Sequence, residues 1–570
     1  MRTETAAATI SETDRPGAGG AFRWRAPALM LAGLIGAAVT LAPAPGPARA
    51  QAPLSAIDWL QSPAPSASAG DDGSNADAVD GSTHPVTPDT GDLWVRDIIT
   101  MQSIDAPRPE AVGLFPAARA GLPAGLWGAT PAVELAALLR ALPTDTLPAL
   151  RRLGLALLMA EFTPPAAEPG AASDIARQDA ANAFVLARID KLIAFGALDQ
   201  AAAIMEALGS TDMALRARAF DIALLLGDEG PACRDVLEGT PPFTGAAQRI
   251  FCLARDGRWA EAERLHAQLS EADRLRPLYR ELLAQFLDAD DIMHGDEPPP
   301  WLGEDYVQPQ NLSPLAWRLL EAVGAPVAAH GLPVAFAHAD LRGTIGWRAQ
   351  LEAAERLVRA GALPPNRLLG LYTERHAAAS GGIWERVRAI QQLEAALERG
   401  AGAPIGAALE LAWPLIVDAE LEVAFAALYA EALLAAPLEG AAAQLAATIG
   451  LLDADPAPAA RRLADGDARQ RFLAAVALGA PPEPLPGGAT VLQQIVAEVM
   501  GPDLSDLPDG LAGQIAAGRA GEALLIALAR LDGVIDPNAL GNALALMRHL
   551  GLDEQARATA LQALILERRG

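Results

Sequence analysis

The chain has 570 residues, of which 51% are hydrophobic and 20% are charged, and its formal net charge is -26. This hydrophobic fraction excludes a chain that is disordered throughout, and the 51 Gly and 45 Pro follow no collagen period. Two cysteines exclude a disulfide-rich scaffold and a cysteine-rich zinc protein. We expect no nucleic-acid partner, because phosphate binding requires clustered positive charge.

Residues 1–50 have the three parts of a secretory signal peptide. Arg23 and Arg25 precede an apolar run over residues 26–42, and Ala48-Arg49-Ala50 fits the small-x-small rule for cleavage. These features predict an exported, periplasmic protein. The apolar run lies at the short edge of what can span a bilayer, so an uncleaved inner-membrane anchor over 26–42 is the alternative. We expect no other membrane contact.

Residues 51–92 are rich in Pro, Ser, Ala, Gly and Asp, which predicts a disordered linker. Within it, residues 54–60 (LSAIDWL) place apolar side chains at helical spacing. Trp59 is therefore a candidate partner contact, the alternative being a segment that packs on the body or has no role.

Residues 93–128 are the one part of the chain with strand character. Residues 93–101 are rich in β-branched and aromatic residues, and four prolines follow by residue 123. This pattern predicts an extended arm or one short β-hairpin against the rest of the protein.

From residue 129 onward the apolar residues recur with a helical period, as in VELAALLRAL over 133–142. Gly, Pro and Asp clusters separate these segments, and no strand-like runs alternate with them. The pattern predicts an all-α body. We divide it into helical-repeat parts over 129–300 and 391–570 around an irregular helical insert at 301–390, and we expect each helix to contact only its near neighbours.

Several predicted helix–turn–helix junctions align on a glycine, with separations of about 30 to 34 residues typical of helical repeats. Of these junction glycines, Gly196, Gly227 and Gly257 form one such series and Gly518 and Gly551 form a second. Gly361 lies at a similar junction, with a proline pair in the helix that follows, and belongs to neither series. The segment Gly257-Arg258-Trp259-Ala260-Glu261-Ala262 resembles the G-x-x-x-E-A turn of the tetratricopeptide family. The resemblance implies an exported bacterial member of that family, with a right-handed α-solenoid of antiparallel helix pairs.

Both cysteines fall near these junctions. Cys233 lies early in the predicted helix after Gly227, and Cys252 lies near the end of the helix before Gly257. In a solenoid these helices are neighbours, so we predict a Cys233–Cys252 disulfide, which an oxidising compartment permits. Two separately buried thiols are the alternative.

The sequence contains no metal or cofactor signature. His330, His338 and Asp340 lack a common ligand spacing, and we expect surface or core-edge roles for them. An acidic cluster lacks the order of an EF-hand loop, so we predict a solvated loop there. Its residues are Asp288, Asp290, Asp291, Asp296 and Glu297. No P-loop, nucleophile elbow, zinc-protease or dinucleotide motif occurs, and we predict no catalytic residue and no cofactor.

The insert at 301–390 combines aromatic residues with arginine, the residue types enriched at protein-binding hot spots. Together with Trp59, its candidate partner-binding residues are Trp301, Tyr306, Arg367, Tyr372, Glu374, Arg375 and Trp384. Exported lytic transglycosylases also join an alanine-rich helical superhelix to a catalytic glutamate in an E-S-x-x motif. Glu374 is followed by Arg375, so the chain departs from that family at its motif.

Two functions follow. The first is a non-catalytic periplasmic scaffold that binds protein partners in the cell envelope, as an accessory of a secretion, polysaccharide-export or flagellar-motor complex. The second is a peptidoglycan-acting lytic enzyme with an unrecognised active site.

Overall fold

The computed structural model describes residues 108–167, 173–209, 212–240, 242–288, 312–482, 485–504 and 506–566. The predicted signal peptide, the linker with Trp59, and the strand-like segment 93–101 lie outside these residues. Trp301 and Tyr306 also lie outside them, as do four of the five acidic residues that begin at Asp288.

Within the described residues the chain forms 24 α-helices and two strands of two residues each, which confirms the predicted all-α class. The first nine helices are α1 (Ala132–Ala141), α2 (Pro148–Met159), α3 (Asp174–Ala194), α4 (Leu198–Leu208), α5 (Met213–Leu226), α6 (Glu229–Glu238), α7 (Ala246–Arg255), α8 (Trp259–Glu271) and α9 (Pro277–Leu287). The next eight are α10 (Pro314–Ala322), α11 (Ala337–Asp340), α12 (Trp347–Arg359), α13 (Pro365–Glu374), α14 (Ile383–Arg399), α15 (Gly402–Asp418), α16 (Glu422–Ala435) and α17 (Gly440–Gly450). The last seven are α18 (Ala457–Leu463), α19 (Ala468–Leu478), α20 (Val491–Val499), α21 (Asp509–Ala516), α22 (Ala520–Ala529), α23 (Pro537–His549) and α24 (Asp553–Ile565).

The helices begin and end where local chemistry dictates. At several N-termini a side-chain oxygen accepts a hydrogen bond from a backbone N–H of the first turn. These capping residues are Ser173, Asp212, Ser313, Asp467, Thr490 and Asp536. All six junction glycines lie between two helices with positive φ, a conformation that favours glycine. The predicted helix–turn–helix junctions are therefore present.

The described part of the predicted arm forms a parallel pair and not a hairpin. Phe115–Pro116 (β1) pairs in parallel with Ala160–Glu161 (β2), directly after α2. A hairpin requires two antiparallel strands that follow one another in the chain. Here the partner strand lies beyond α1 and α2, so the arm is held by the body.

The chain closes on itself, contrary to the expectation that each helix contacts only near neighbours. Helix α1 contacts α22, and α2 contacts α24. The amide of Ala129 donates to the carbonyl of Gly518, and the amide of Gly521 donates to the carbonyl of Leu126, both at 2.9 Å. A Cβ at Gly521 would lie 2.7 Å from both the Leu126 oxygen and the Trp127 ring. The two backbone segments can approach this closely because glycine has no side chain to fill the space between them.

Apolar packing continues across the closure. One cluster of buried hydrophobic side chains extends from Ala117 to Leu566. Trp127 belongs to this cluster, and its ring packs against Phe162 and Phe184 at centroid distances of 4.8 and 6.0 Å. The first and last helices thus share one core, which the helical period alone did not indicate.

The predicted disulfide joins Cys233 of α6 to Cys252 of α7, with 5.1 Å between the Cα atoms. Both side chains are buried in the core. The bond closes a loop of 19 residues between consecutive helices. Among the described residues, no helix is long and apolar enough to cross a membrane.

Replacing both cysteines with alanine is expected to lower the free energy of unfolding by about 3 kcal/mol, because the unfolded chain regains loop entropy. Urea unfolding of wild type and of the double variant, each with and without dithiothreitol, measures the effect. Reduction should shift the wild-type midpoint and leave the variant unchanged. A wild-type midpoint that is insensitive to reduction, with free thiols in the denatured unreduced protein, would contradict the assignment.

Candidate functional site

The candidate residues of the insert that the structure describes lie on α13, just after it, and at the start of α14. Arg367, Glu374 and Arg375 are exposed, and Trp384 is half-buried. Tyr372 is 3% exposed, which is incompatible with the direct partner contact predicted for it. The side chain instead faces the core because Tyr372 lies on the same face of α13 as the buried Leu368.

A buried ion pair between Glu355 of α12 and Arg386 of α14 accounts for the position of Tyr372. The carboxylate of Glu355 accepts a hydrogen bond from the Tyr372 hydroxyl at 2.6 Å. It also accepts two from the Arg386 guanidinium, from Nε at 2.9 Å and from a terminal nitrogen at 2.7 Å. Bidentate Arg–carboxylate pairs fix orientation as well as distance. Glu355 therefore joins α12, α13 and α14 through side chains that are largely buried.

Electrostatics keep Tyr372 and Arg386 each in one protonation state at neutral pH. Burial raises the pKa of Tyr372 well above its usual value, and the nearby Glu355 charge raises it further. Burial lowers the pKa of Arg386, but the hydrogen bond and charge of Glu355 outweigh burial and leave it raised. Tyrosine stays a neutral donor and arginine stays charged, so the network is a fixed structural support.

Further contacts hold the end of α13 and the loop that follows it. The indole N–H of Trp347 donates to the carbonyl of Leu371 at 3.0 Å, and its ring packs on Trp384 at 5.1 Å. The amide of Gln391 donates to the carbonyls of Tyr372 and Arg375 at 2.8 and 2.7 Å. The loop is thus anchored on its inner side while its outer residues face solvent.

We call the outward residues Arg367, Glu374, Arg375 and Trp384 the α13 surface. Glu374 and Arg375 form an exposed ion pair at 2.8 Å. Exposed pairs of this kind contribute little to stability, so their charges are available to a partner. General acids of glycosidases, by contrast, are enclosed among apolar groups, and Glu374 is exposed.

A pocket of about 290 Å³ lies beside α12, away from the Glu355 network, and is lined in part by His330, Asp340 and Arg356. Burial raises the pKa of Asp340, which the charges of Arg342 and Arg356 oppose. Arg356 itself donates to the carbonyls of Ala329 and Leu332, at 2.8 and 2.7 Å, which is a structural role.

His338, the other histidine of this segment, is buried outside the lining of the pocket. Its Nε2 donates to the carbonyl of Gly196 at 2.6 Å. Burial lowers its pKa, so the neutral ring is favoured. His338 thus ties α11 to the turn between α3 and α4. Across the described part of the chain, no group of three His, Cys, Asp or Glu side chains could hold a metal ion.

Glu355→Gln is expected to lower the free energy of unfolding by about 2–3 kcal/mol, because it leaves the Arg386 charge buried without its counterion. Tyr372→Phe removes one hydrogen bond to a charged group and is expected to lower it by about 1.5 kcal/mol. Urea unfolding measures both. Glu374→Gln, an exposed glutamate on the next helix, is the matched control and should stay within about 0.5 kcal/mol of wild type. Equal effects at Glu355 and Glu374 would contradict the buried network.

Sequence reasoning missed Glu355, Arg386 and Trp347. One signal for Glu355 was available, since it lies beside Leu351 and Val358 on the apolar face of α12. A charged residue inside an apolar stripe indicates a buried partner. Trp347 begins the same stripe.

No protein-family model, no curated protein and no solved structure matches the chain.

Proposed function

We propose that the protein is an exported, non-catalytic helical scaffold that binds a protein partner of the cell envelope through the α13 surface. The observation that carries the proposal is the contrast between the two sides of α13. Its inner side is locked by the Glu355–Tyr372–Arg386 network, and its outer side presents Arg367 and Arg375 to solvent. A fixed backbone with arginine and a half-buried tryptophan loses little entropy on binding.

Two observations support export. The sequence of residues 1–50 has the order of a signal peptide, and the Cys233–Cys252 disulfide is compatible with an oxidising compartment. From the tetratricopeptide resemblance we further propose that helices joined at the junction glycines pack as antiparallel pairs with a right-handed sense.

Cross-linking from the α13 surface tests the partner. A photo-cross-linking amino acid replaces Thr373, an exposed neighbour on α13, and adducts are collected from cells. The cross-linker is placed in the otherwise wild-type protein and in a variant that carries Arg367→Glu together with Arg375→Glu. The matched control is Arg461→Glu with Arg469→Glu, two exposed arginines outside the α13 surface.

We expect one discrete protein adduct in wild type and in the control, and its loss in the α13 variant because the charges are reversed. The adduct should be recovered with the osmotic-shock or envelope fraction. An adduct that survives in the α13 variant, or is lost equally in the control, would contradict partner binding at this surface.

The lytic alternative is tested on the same surface. Purified protein is incubated with peptidoglycan sacculi, and released muropeptides are measured for wild type and Glu374→Gln. The scaffold proposal predicts no release above buffer. Release by wild type that is lost in Glu374→Gln would overturn the scaffold proposal and assign a catalytic role to Glu374.

A further inference from the structure

A larger opening lies where the first and last helices meet. Its volume is about 710 Å³, within the range of small-molecule sites. It is lined by residues 119–121, by α2, by the loop between α17 and α18, by the end of α19, and by α24. We call it the closure cleft, because it exists only when the two ends of the chain pack together.

Three guanidinium groups line the closure cleft: those of Arg119, Arg152 and Arg557. They come from three separate elements, namely the turn before α1, helix α2 and helix α24. Arg119 and Arg152 are exposed and Arg557 is half-buried. Within the described residues none of the three forms a hydrogen bond or an ion pair. Their donors are therefore free for a ligand, although the chain as a whole is strongly acidic.

Carboxylates line the same cleft. Asp453 and Asp455 lie in the loop between α17 and α18, and Glu554 lies in the first turn of α24. Asp455 also accepts a hydrogen bond from the backbone amide of Ala457 at 3.1 Å, which fixes the loop. The charges in the cleft thus number three positive and three negative. A purely anionic ligand meets three carboxylates, and a purely cationic ligand meets three guanidinium groups.

The lining is held by direct contacts between the two ends of the chain. The side-chain amide of Gln555 donates to the carbonyl of Ala120 at 2.9 Å. The side-chain oxygen of Gln562 accepts from the amide of Ala149 at 2.6 Å, where both residues are buried. Because these contacts already hold the elements that carry the lining residues, a ligand that binds here does not have to order them.

Apolar groups fill the space between the charges. Leu153, Leu451 and Leu561 are buried beneath the cleft, and Leu478 is 44% exposed at its edge. An aliphatic portion of a ligand is removed from water when it covers these side chains. The volume exceeds what a single free amino acid fills and fits a few linked residues.

We propose that the closure cleft binds a short zwitterionic peptide with at least two carboxylates and an ammonium group. Arginine pairs with carboxylates through parallel N–H donors, and the acidic side chains receive the ammonium group. This inference is independent of the α13 surface and of the partner proposed there.

Isothermal titration calorimetry at low salt tests the proposal with the tripeptide Lys-Ala-Asp, whose termini are free. The comparison ligand is Lys-Ala-Asn amide, which has the same ammonium groups and lacks both carboxylates. The variants are Arg152→Gln and Arg557→Gln, with Arg461→Gln as a matched exposed control. Thermal unfolding establishes that each variant is folded, and Arg119→Gln serves as a third variant where one is not.

We expect binding of Lys-Ala-Asp by wild type and by Arg461→Gln, weakened about tenfold or more by each cleft variant and by amidation. Each cleft variant removes one charge-assisted hydrogen-bonded pair, which corresponds to about tenfold in affinity, and amidation removes both carboxylates of the ligand. The Arg367→Glu, Arg375→Glu variant should bind the peptide as wild type does, so failure here and failure of the partner proposal are distinguishable. Equal binding by wild type and cleft variants, binding of inorganic phosphate in place of the peptide, or no heat with the peptide at millimolar concentration overturns the proposal.

Discussion

Arg188→Met is expected to lower the free energy of unfolding by about 3–5 kcal/mol, because it removes a buried guanidinium that donates hydrogen bonds to several backbone carbonyls. Arg188 is 2% exposed. It donates to the carbonyl of Leu158 at 3.0 and 2.8 Å, to Val112 at 2.7 Å and to Ala160 at 3.3 Å. The side chain thereby joins the segment before β1 to the end of α2.

The environment explains why a charge is tolerated there. Burial lowers the pKa of Arg188 to about 10, so the group is still protonated at neutral pH. Carbonyls at the C-terminal end of α2 carry partial negative charge from the helix dipole, which favours a cation. Removing the cation leaves these carbonyls buried without a donor.

Urea unfolding monitored by circular dichroism measures the effect. The control is Arg177→Met, an exposed arginine on the same helix whose ion pair with Asp174 should be worth less than about 1 kcal/mol. Limited proteolysis should cut the variant first within residues 108–116. If both variants unfold at the same urea concentration, Arg188 does not hold the segment in place.

Gly128→Ala is expected to lower the free energy of unfolding by about 3–5 kcal/mol, because the added methyl group cannot coexist with the closure of the chain. Gly128 has a φ of 48°, and a Cβ there would overlap the carbonyl oxygen of Gly518. The same carbonyl accepts from the amide of Ala129, so the overlap displaces a backbone hydrogen bond as well.

The matched control is Gly488→Ala. Gly488 also has a positive φ, of 77°, but a Cβ there meets nothing within 4 Å. Both variants bear the strain of a left-handed alanine, about 1 kcal/mol, and only Gly128→Ala adds the overlap. The difference between their urea midpoints therefore isolates the closure. Equal midpoints would show that the ends of the chain are free to separate without loss.

Local features of the fold were predictable because they depend on neighbours in sequence. The helical period predicted the all-α class, and the spacing of Gly227 and Gly257 placed Cys233 and Cys252 on consecutive helices. The conformation required at a helix end favours glycine whatever the rest of the fold does. The tetratricopeptide resemblance stays a prediction.

The closure could not be predicted in this way. It depends on contacts between residues near 120–150 and residues near 518–562, and each of these hydrogen bonds involves at least one backbone atom. A glycine that lets a distant segment of backbone approach closely cannot be distinguished, in the sequence, from a glycine that ends a helix. The repeat pattern instead favoured an open stack of helices.

The candidate site was predictable only in part. An aromatic residue beside arginines indicates a hot spot, and this pattern included Tyr372 together with Arg375. Burial separates the two, because Tyr372 pairs with Glu355 of a different helix while Arg375 faces solvent. The spacing of Tyr372 from Leu368 indicates the inward face of α13, but the charged partner that Tyr372 meets there comes from another helix. Arg188 was a similar case, a charged residue within the apolar run of α3.

Amide hydrogen exchange at the two ends of the chain tests the closure most directly. The amides of Ala129 and Gly521 each donate to the opposite end. Peptides covering 126–133 and 518–523 should therefore exchange slowly in wild type and in Gly488→Ala. Both should lose protection together in Gly128→Ala, while peptides from α12 and α14 stay protected. Rapid exchange of Ala129 and Gly521 in the wild-type protein, at the rate of an unstructured peptide, would contradict a chain that closes on itself.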